Sequence, residues 1–291
     1  MPSPAGSSTT SCLSPDRVGR DGYLSLQFEP HQGFTALTRC RYRAPLQVLK
    51  PSYLEDDHSA FLFLLNPAGG IVGGDCLKTD VRLGRNAHVC LTTPSATNVY
   101  RALDGPAILE TNIQLEEGAI LEYFPEHLIP YPGSALRQSL RVQMAPGSCL
   151  ILNEAFAAGR IARHEQWKFR ELTSDTEVRL GSSPVYISRS RIVPTDLPPH
   201  GLGIAENYNY FANLTVVWES FREWKSLVND FSTVLKSVPG VHAGASCGAQ
   251  SSCVVRTMAS TAAQLTSVTQ KLWNCLRRVV LDRPVISPRK Y

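Results

Sequence analysis

Several absences set the first limits on this 291-residue chain. No lysine- or arginine-rich run concentrates its formal charge of +4, so a nucleic-acid partner is not expected. No apolar stretch approaches the roughly 20 residues that a membrane helix needs, and no membrane partner is expected either. The longest such stretch, Phe61 to Leu65, suits a buried strand. The eight cysteines form no C-x-x-C pair. The first residues lack the basic segment and apolar core of a secretory signal, so reduced thiols and a cytoplasmic location are expected. There is no G-x-S-x-G elbow to hold a nucleophile.

What is present reads as a globular protein, with 43% hydrophobic and 19% charged residues. Residues 1–20 are rich in Ser, Pro, Gly and Thr and predict a mobile tail; residues 21–291 predict a single β-rich domain. From Tyr23 onward, apolar residues alternate with polar ones. Leu24, Leu26 and Phe28 do so first, then Ala87, Val89 and Leu91, then Leu109, Thr111, Ile113 and Leu115, then Leu140, Val142 and Met144. Gly and Pro punctuate these runs, and strands at such short intervals predict a sandwich, a barrel or a solenoid-like stack. No clean repeated motif accompanies them, which argues against a regular repeat protein.

The last third changes period. Val217, Phe221, Trp224, Val228, Phe231, Leu235 and Val238 are spaced to share one helical face, ended by Pro239-Gly240. Cys253 to Met258 predicts one more strand. Ser260 is placed to cap a second helix whose stripe is Leu265, Val268, Leu272, Leu276 and Val279. The fold class is therefore mainly β, an extended β-rich assembly of wound or stacked sheets with two α-helices in the C-terminal third.

Residues 66–75 read Asn-Pro-Ala-Gly-Gly-Ile-Val-Gly-Gly-Asp. A phosphate-binding P-loop would place Lys and Ser or Thr after its second glycine. Here Asp75 and Cys76 follow Gly74, and an acid would repel phosphate. Gly69, Gly70, Gly73 and Gly74 are better read as a tight structural turn, with φ > 0 or close backbone approach. Metal readings are equally thin. His88 with Cys90, Cys247 with Cys253, Glu126 with His127 and His164 with Glu165 are pairs, and two ligands do not make a site.

Taken together, Leu65 to Leu77 and "LTTPSATNVYR" at 91–101 resemble the urease accessory protein family UreD, also called UreH. "GAILEYFPEHLIPYPGS" at 118–134, "EAFAAGRIARHE" at 154–165 and the closing "PRKY" extend the resemblance. Asn98 stands where the family commonly has Lys, and His164 where it has Gly. The resemblance implies a non-catalytic maturation factor that binds apo-urease and, through the partner UreF, recruits the GTPase UreG. Nickel would then reach urease, in some accounts through an internal polar passage; no cofactor would be held tightly, though nickel would bind transiently. Asp75, Glu122, Glu154 and Glu165 are the expected nickel-path acids, with Thr93 and Thr97 lining the passage, since oxygen-rich walls allow brief stops and not firm ligation. Glu154 could instead pair with Arg160. Tyr208, Tyr210 and Phe211 are the expected UreF contacts, or alternatively pack on the first helix. Two rival readings stay open: a β-rich enzyme of unknown type, and an assembly factor for a different metalloenzyme.

Overall fold

The computed structural model describes residues 20–54, 58–103, 105–196, 199, 201, 203–248 and 251–286; the expected N-terminal tail lies outside them. The chain opens with a hairpin of β1 (Asp21–His31) and β2 (Phe34–Arg43), then β3 (Gln47–Val48) and β4 (Ala60–Leu65). It continues through β5 (Cys76–Leu83), β6 (His88–Thr92), β7 (Thr97–Val99), β8 (Ala107–Leu115), β9 (Ile120–Phe124) and β10 (Leu128–Pro130). Next come β11 (Ala135–Met144), β12 (Cys149–Ala157), β13 (Glu171–Leu180), β14 (Ser183–Ile192) and β15 (Tyr210–Val217). Helix α1 (Trp224–Lys236), strands β16 (Val241–Cys247) and β17 (Ser252–Ala259), and helix α2 (Ala262–Val279) complete the described elements.

Through the wound middle of the chain the strands β4, β5, β6, β8, β9, β11, β12 and β13 pass from one to the other of two stacked sheets. The seven-stranded sheet runs β14-β13-β11-β8-β5-β1-β2, and the ten-stranded sheet runs β16-β17-β15-β12-β9-β6-β4-β3, with β7 and β10 beside it. The middle strands of both sheets pair in parallel, coil upon coil. Ile108 sits beside Cys76, Leu136 beside Ala107 and Glu171 beside Ala135, so the coils are unequal in length. That irregularity is why a solenoid-like stack leaves no repeated motif in the sequence. The alternation is borne out in the seven-stranded sheet, whereas β6 is buried on both faces: Leu24, Leu77, Val81, Ile113, Val142 and Val178 are buried between the sheets with Leu62, Val89, Leu121 and Leu152. A second core lies between the ten-stranded sheet and the helices, around Phe61, Ile151, Trp224, Phe231, Leu272 and Trp273.

Both helices start differently from the spacing. Val217 ends β15, paired with Ser252, and Phe221 lies in the turn before α1 begins at Trp224. The β-branched Thr215-Val216-Val217 run favours the ladder there, and the helical spacing across it is coincidental. The cap of α2 is Thr261, not Ser260: Thr261 accepts from the Gln264 N–H, and the Gln264 side chain returns to the Thr261 N–H. This is the reciprocal box that Thr-x-x-Gln encodes. Val279 is 39% exposed, whereas Arg277 is fully buried. Cys76 is disulfide-bonded, against the expectation of reduced thiols throughout; a compartment rule describes averages and not one pair.

The glycine-rich segment forms the return leg of a coil. Ile71 N–H donates to Asn98 O, and Tyr100 N–H to Ile71 O. A Cβ on Gly70 would lie 2.5 Å from Asn98 O, and one on Gly73 2.5 Å from Ala102 Cα. Gly69 and Gly74 have φ of +78° and +85°. Gly70→Ala should therefore lower the thermal midpoint by several degrees, about 1–3 kcal/mol of overpacking. Gly244→Ala, where an added Cβ meets nothing within 4 Å, should leave it nearly unchanged. Equal midpoints for the two variants would contradict the close-approach reading.

Candidate functional site

A cavity of about 410 Å³ opens between the two sheets, next to the 93–98 loop and the glycine-rich leg. Its walls follow from the register. On the seven-stranded sheet, the inward row Leu24, Thr79, Thr111, Leu140, Thr176 carries threonines where apolar residues would continue the core. On the ten-stranded sheet, Tyr123 and Glu154 occupy inward positions of β9 and β12, Glu154 lying two residues beyond Leu152, the partner of Tyr123. Leucines from both sheets, including Leu64, Leu77, Leu109 and Leu128, complete the lining. The space is thus lined by leucines and by oxygen-bearing side chains in comparable measure.

Glu154 is the acid deepest in that lining. It accepts from Thr176 Oγ1 at 2.8 Å and from Ser174. Burial pushes its carboxyl up from the usual range, and those two hydroxyls offset this only in part. Tyr123, hydrogen-bonded to Thr111, is pushed up to about 12 by burial, with the neighbouring Glu154 adding to the shift. Thr93 and Thr97 line the same cavity near its mouth. Thr93 Oγ1 donates to Ser95 O at 3.0 Å and accepts from Glu126 N–H at 2.9 Å, so it also fixes the loop.

The remaining expected residues lie elsewhere. Glu122, adjacent in sequence to Tyr123, points through the opposite face toward the helices and is fully buried. It pairs with Arg277, accepts from Trp273 Nε1 at 2.5 Å, and lies 2.7 Å from His88 Nε2. Burial alone would raise its carboxyl, but His88, Arg277 and Trp273 outweigh that and hold it below the usual range. Asp75 closes its own turn, with Oδ2 accepting from Val72 N–H at 2.8 Å and Arg20 3.8 Å away. Arg160 pairs with Glu165 through two hydrogen bonds, 2.5 and 2.9 Å, and sits 4.2 Å over the Tyr131 ring. The expected alternative pairing of Arg160 with Glu154 is therefore replaced. His164 has φ of 55°, a left-handed backbone that explains a glycine preference there and that His tolerates. Asn98 Nδ2 donates to Gly69 O at 3.1 Å, tying the two motifs together.

Tyr208, Tyr210 and Phe211 are half-buried, and Tyr210 packs beside Ala212, Ala259 and the α2 residue Leu265. Tyr208 neighbours His242, Tyr210 meets His127 edge-on, and Phe211 stacks on Phe156. Among the described residues, no group of three or more His, Cys, Asp and Glu is placed to hold a metal ion, and no helix is long and apolar enough to cross a membrane. Thr79, Thr111, Tyr123 and Gln138 of the cavity were not among the expected residues. The signal that finds them is a polar side chain at an inward position of an alternating strand.

A two-sheet, irregularly wound stack with helices on one face and a partly polar internal cavity defines the structural class. The model of the UreD urease accessory protein family matches residues 20–291, and the chain belongs to that family. It is 31% identical to the urease accessory protein UreD of Herpetosiphon aurantiacus over 277 residues, covering 92% of this chain and 96% of the relative. It is 34% identical to that of Deinococcus radiodurans over 204 residues, covering 69% and 72%. With that of Lachnoclostridium phytofermentans it shares 31% over 198 residues, covering 68% and 72%.

Glu122 and Glu154 have opposite linkage to pH. Glu122 is held low, so its contribution is full above the ordinary carboxylate range and is lost as pH falls through the folded-state value. Glu122→Gln leaves Arg277 buried and uncompensated and should cost about 3–5 kcal/mol near neutral pH, measured by denaturant unfolding. Glu154 is held high, so stability should fall as pH rises from the ordinary carboxylate range to the raised value. Glu154→Gln should abolish that fall in thermal melts across pH. A parent and variant with parallel pH profiles would contradict the raised carboxyl.

Proposed function

We propose that the chain is a urease maturation scaffold, non-catalytic itself. It holds apo-urease and, through UreF, recruits UreG, so that nickel reaches the urease centre as cargo in transit. The proposal includes the internal cavity as part of the route, with Glu154 as its main acid and Thr93 and Thr97 at the mouth. The observation that carries it is the set of oxygen-bearing side chains, among them Thr79, Thr111, Tyr123 and Glu154, placed between leucines inside the molecule, because an interior serving only stability has no use for it. Two carboxyl residues, Glu126 and Glu154, among hydroxyls suit a hydrated dication that must leave again, since a full set of nitrogen or sulfur ligands would retain it. An arriving cation would favour the ionised form of the Glu154 carboxyl that burial disfavours.

In this reading Glu122, Asp75 and Glu165 serve the scaffold, each already committed to a cation or a turn. Tyr208, Tyr210 and Phe211 are proposed to shape the UreF contact from beneath the surface and not as free anchors. The test is urease activation from purified apo-urease, UreF, UreG and this chain, with complex assembly followed in parallel. Glu154→Ala should lower activation by about tenfold or more while the complex still forms, and Glu165→Ala should have a smaller effect. Unchanged activation with Glu154→Ala would sink the route through this cavity.

A further inference from the structure

Strand β2 is the last strand of the seven-stranded sheet. Its hairpin end is closed: Thr35 N–H donates to His58 O at 3.1 Å, Tyr53 Oη donates to Thr35 O at 3.0 Å, and Phe34 packs edge-on against the Tyr53 and His58 rings. Beyond that, among the described residues, the side of β2 facing away from β1 pairs with no other strand from Thr38 to Arg43. An edge of that length is a template for strand addition unless something blocks it.

The side chains on this edge alternate in character. Arg39, Arg41 and Arg43 fall on the outer sheet face, opposite Gln27, Ser25 and Tyr23; Cys40 and Tyr42 fall on the other, opposite Leu26 and Leu24. Tyr42 is 62% exposed, more than a packed tyrosine would be. On the same outer face Arg82, Arg141 and Arg179 are paired with Glu116, Asp175 and Glu177. Among the described residues, no carboxylate lies within ion-pair distance of Arg39, Arg41 or Arg43, and the buried Nε of Arg43 has no hydrogen-bond partner. Arg39 and Arg41 border an open groove of about 810 Å³ on that face.

We infer that this edge is a docking site for an extended acidic segment of a partner protein. The segment adds as a strand beside Thr38–Arg43. Its alternate carboxylates face Arg39, Arg41 and Arg43, and its intervening apolar residues lie on the Tyr42 side. Main-chain hydrogen bonds supply affinity and the alternate side chains supply selection. Charge on an edge strand discourages indiscriminate pairing; three charges of one sign discourage neutral and basic strands and admit acidic ones. The same charges argue against a second copy of this chain, because two-fold pairing of β2 with itself would set like charges opposite one another.

The test uses the full chain and a short fluorescent peptide of alternating Glu and Val, with an alternating Lys and Val peptide as control. Anisotropy should give an affinity about tenfold or more above the control, weakening as salt rises. Amides of residues 38–43 should become protected from hydrogen exchange. The R39E/R41E double variant should lose at least about tenfold in affinity with an unchanged thermal midpoint, since both side chains are exposed. Equal affinity for the two peptides, protection away from β2, tighter binding of an oligonucleotide of matched charge, or self-association through β2 would each overturn the assignment.

Discussion

The coil-on-coil hydrogen-bond ladder is the constraint on which the rest of this molecule depends. Each strand of the wound region pairs in parallel with strands one coil before and one coil after it in the same sheet. A residue's face is therefore fixed by its parity along the strand. Neighbouring residues Glu122 and Tyr123 are thereby sent to opposite layers, one to the helices and one to the cavity. The ladder tolerates unequal coils only because the corners absorb the difference, and the Gly70–Gly73 leg lets two backbones approach where a side chain would intrude.

Two buried polar systems then divide the labour. On the helix side, Glu122, Arg277, Trp273 and His88 form a paired, hydrogen-bonded cluster that fixes α2 against the centre of the sheet. Such a cluster adds little net stability over an apolar replacement, but it is costly to break on one side only. Between the sheets, Glu154 has the hydroxyls of Thr176 and Ser174 as partners and, among the described residues, no cationic side chain at ion-pair distance, and its carboxyl is raised. The first system is neutralised from within the chain; the second has capacity left for something that arrives. That contrast separates architecture from proposed function more sharply than burial does.

Much of this was legible in the sequence. The alternating runs gave the strands, and Trp224 to Phe231 and Leu265 to Leu276 gave the helical stripes. Assignment of alternate strands to different sheets was not legible, because period two reports a wet and a dry face and not which sheet owns them. The start of α1 was missed because apolar spacing ran unbroken from a strand end through a turn. Glu154 and two threonines of the cavity came through family resemblance, whereas Thr79, Thr111 and Gln138 came only with the register. The basic edge of β2 was invisible for a related reason: Arg39, Arg41 and Arg43 are a period-two pattern, not a run, and acquire meaning only when β2 is known to end its sheet.

The most direct measurement is anomalous scattering at the nickel absorption edge from crystals of the chain equilibrated with nickel. The account predicts a partly occupied peak inside the cavity, within coordination reach of the Glu154 carboxylate, and its loss in Glu154→Gln. A cavity free of anomalous signal, with nickel confined to surface histidines and cysteines, would contradict it.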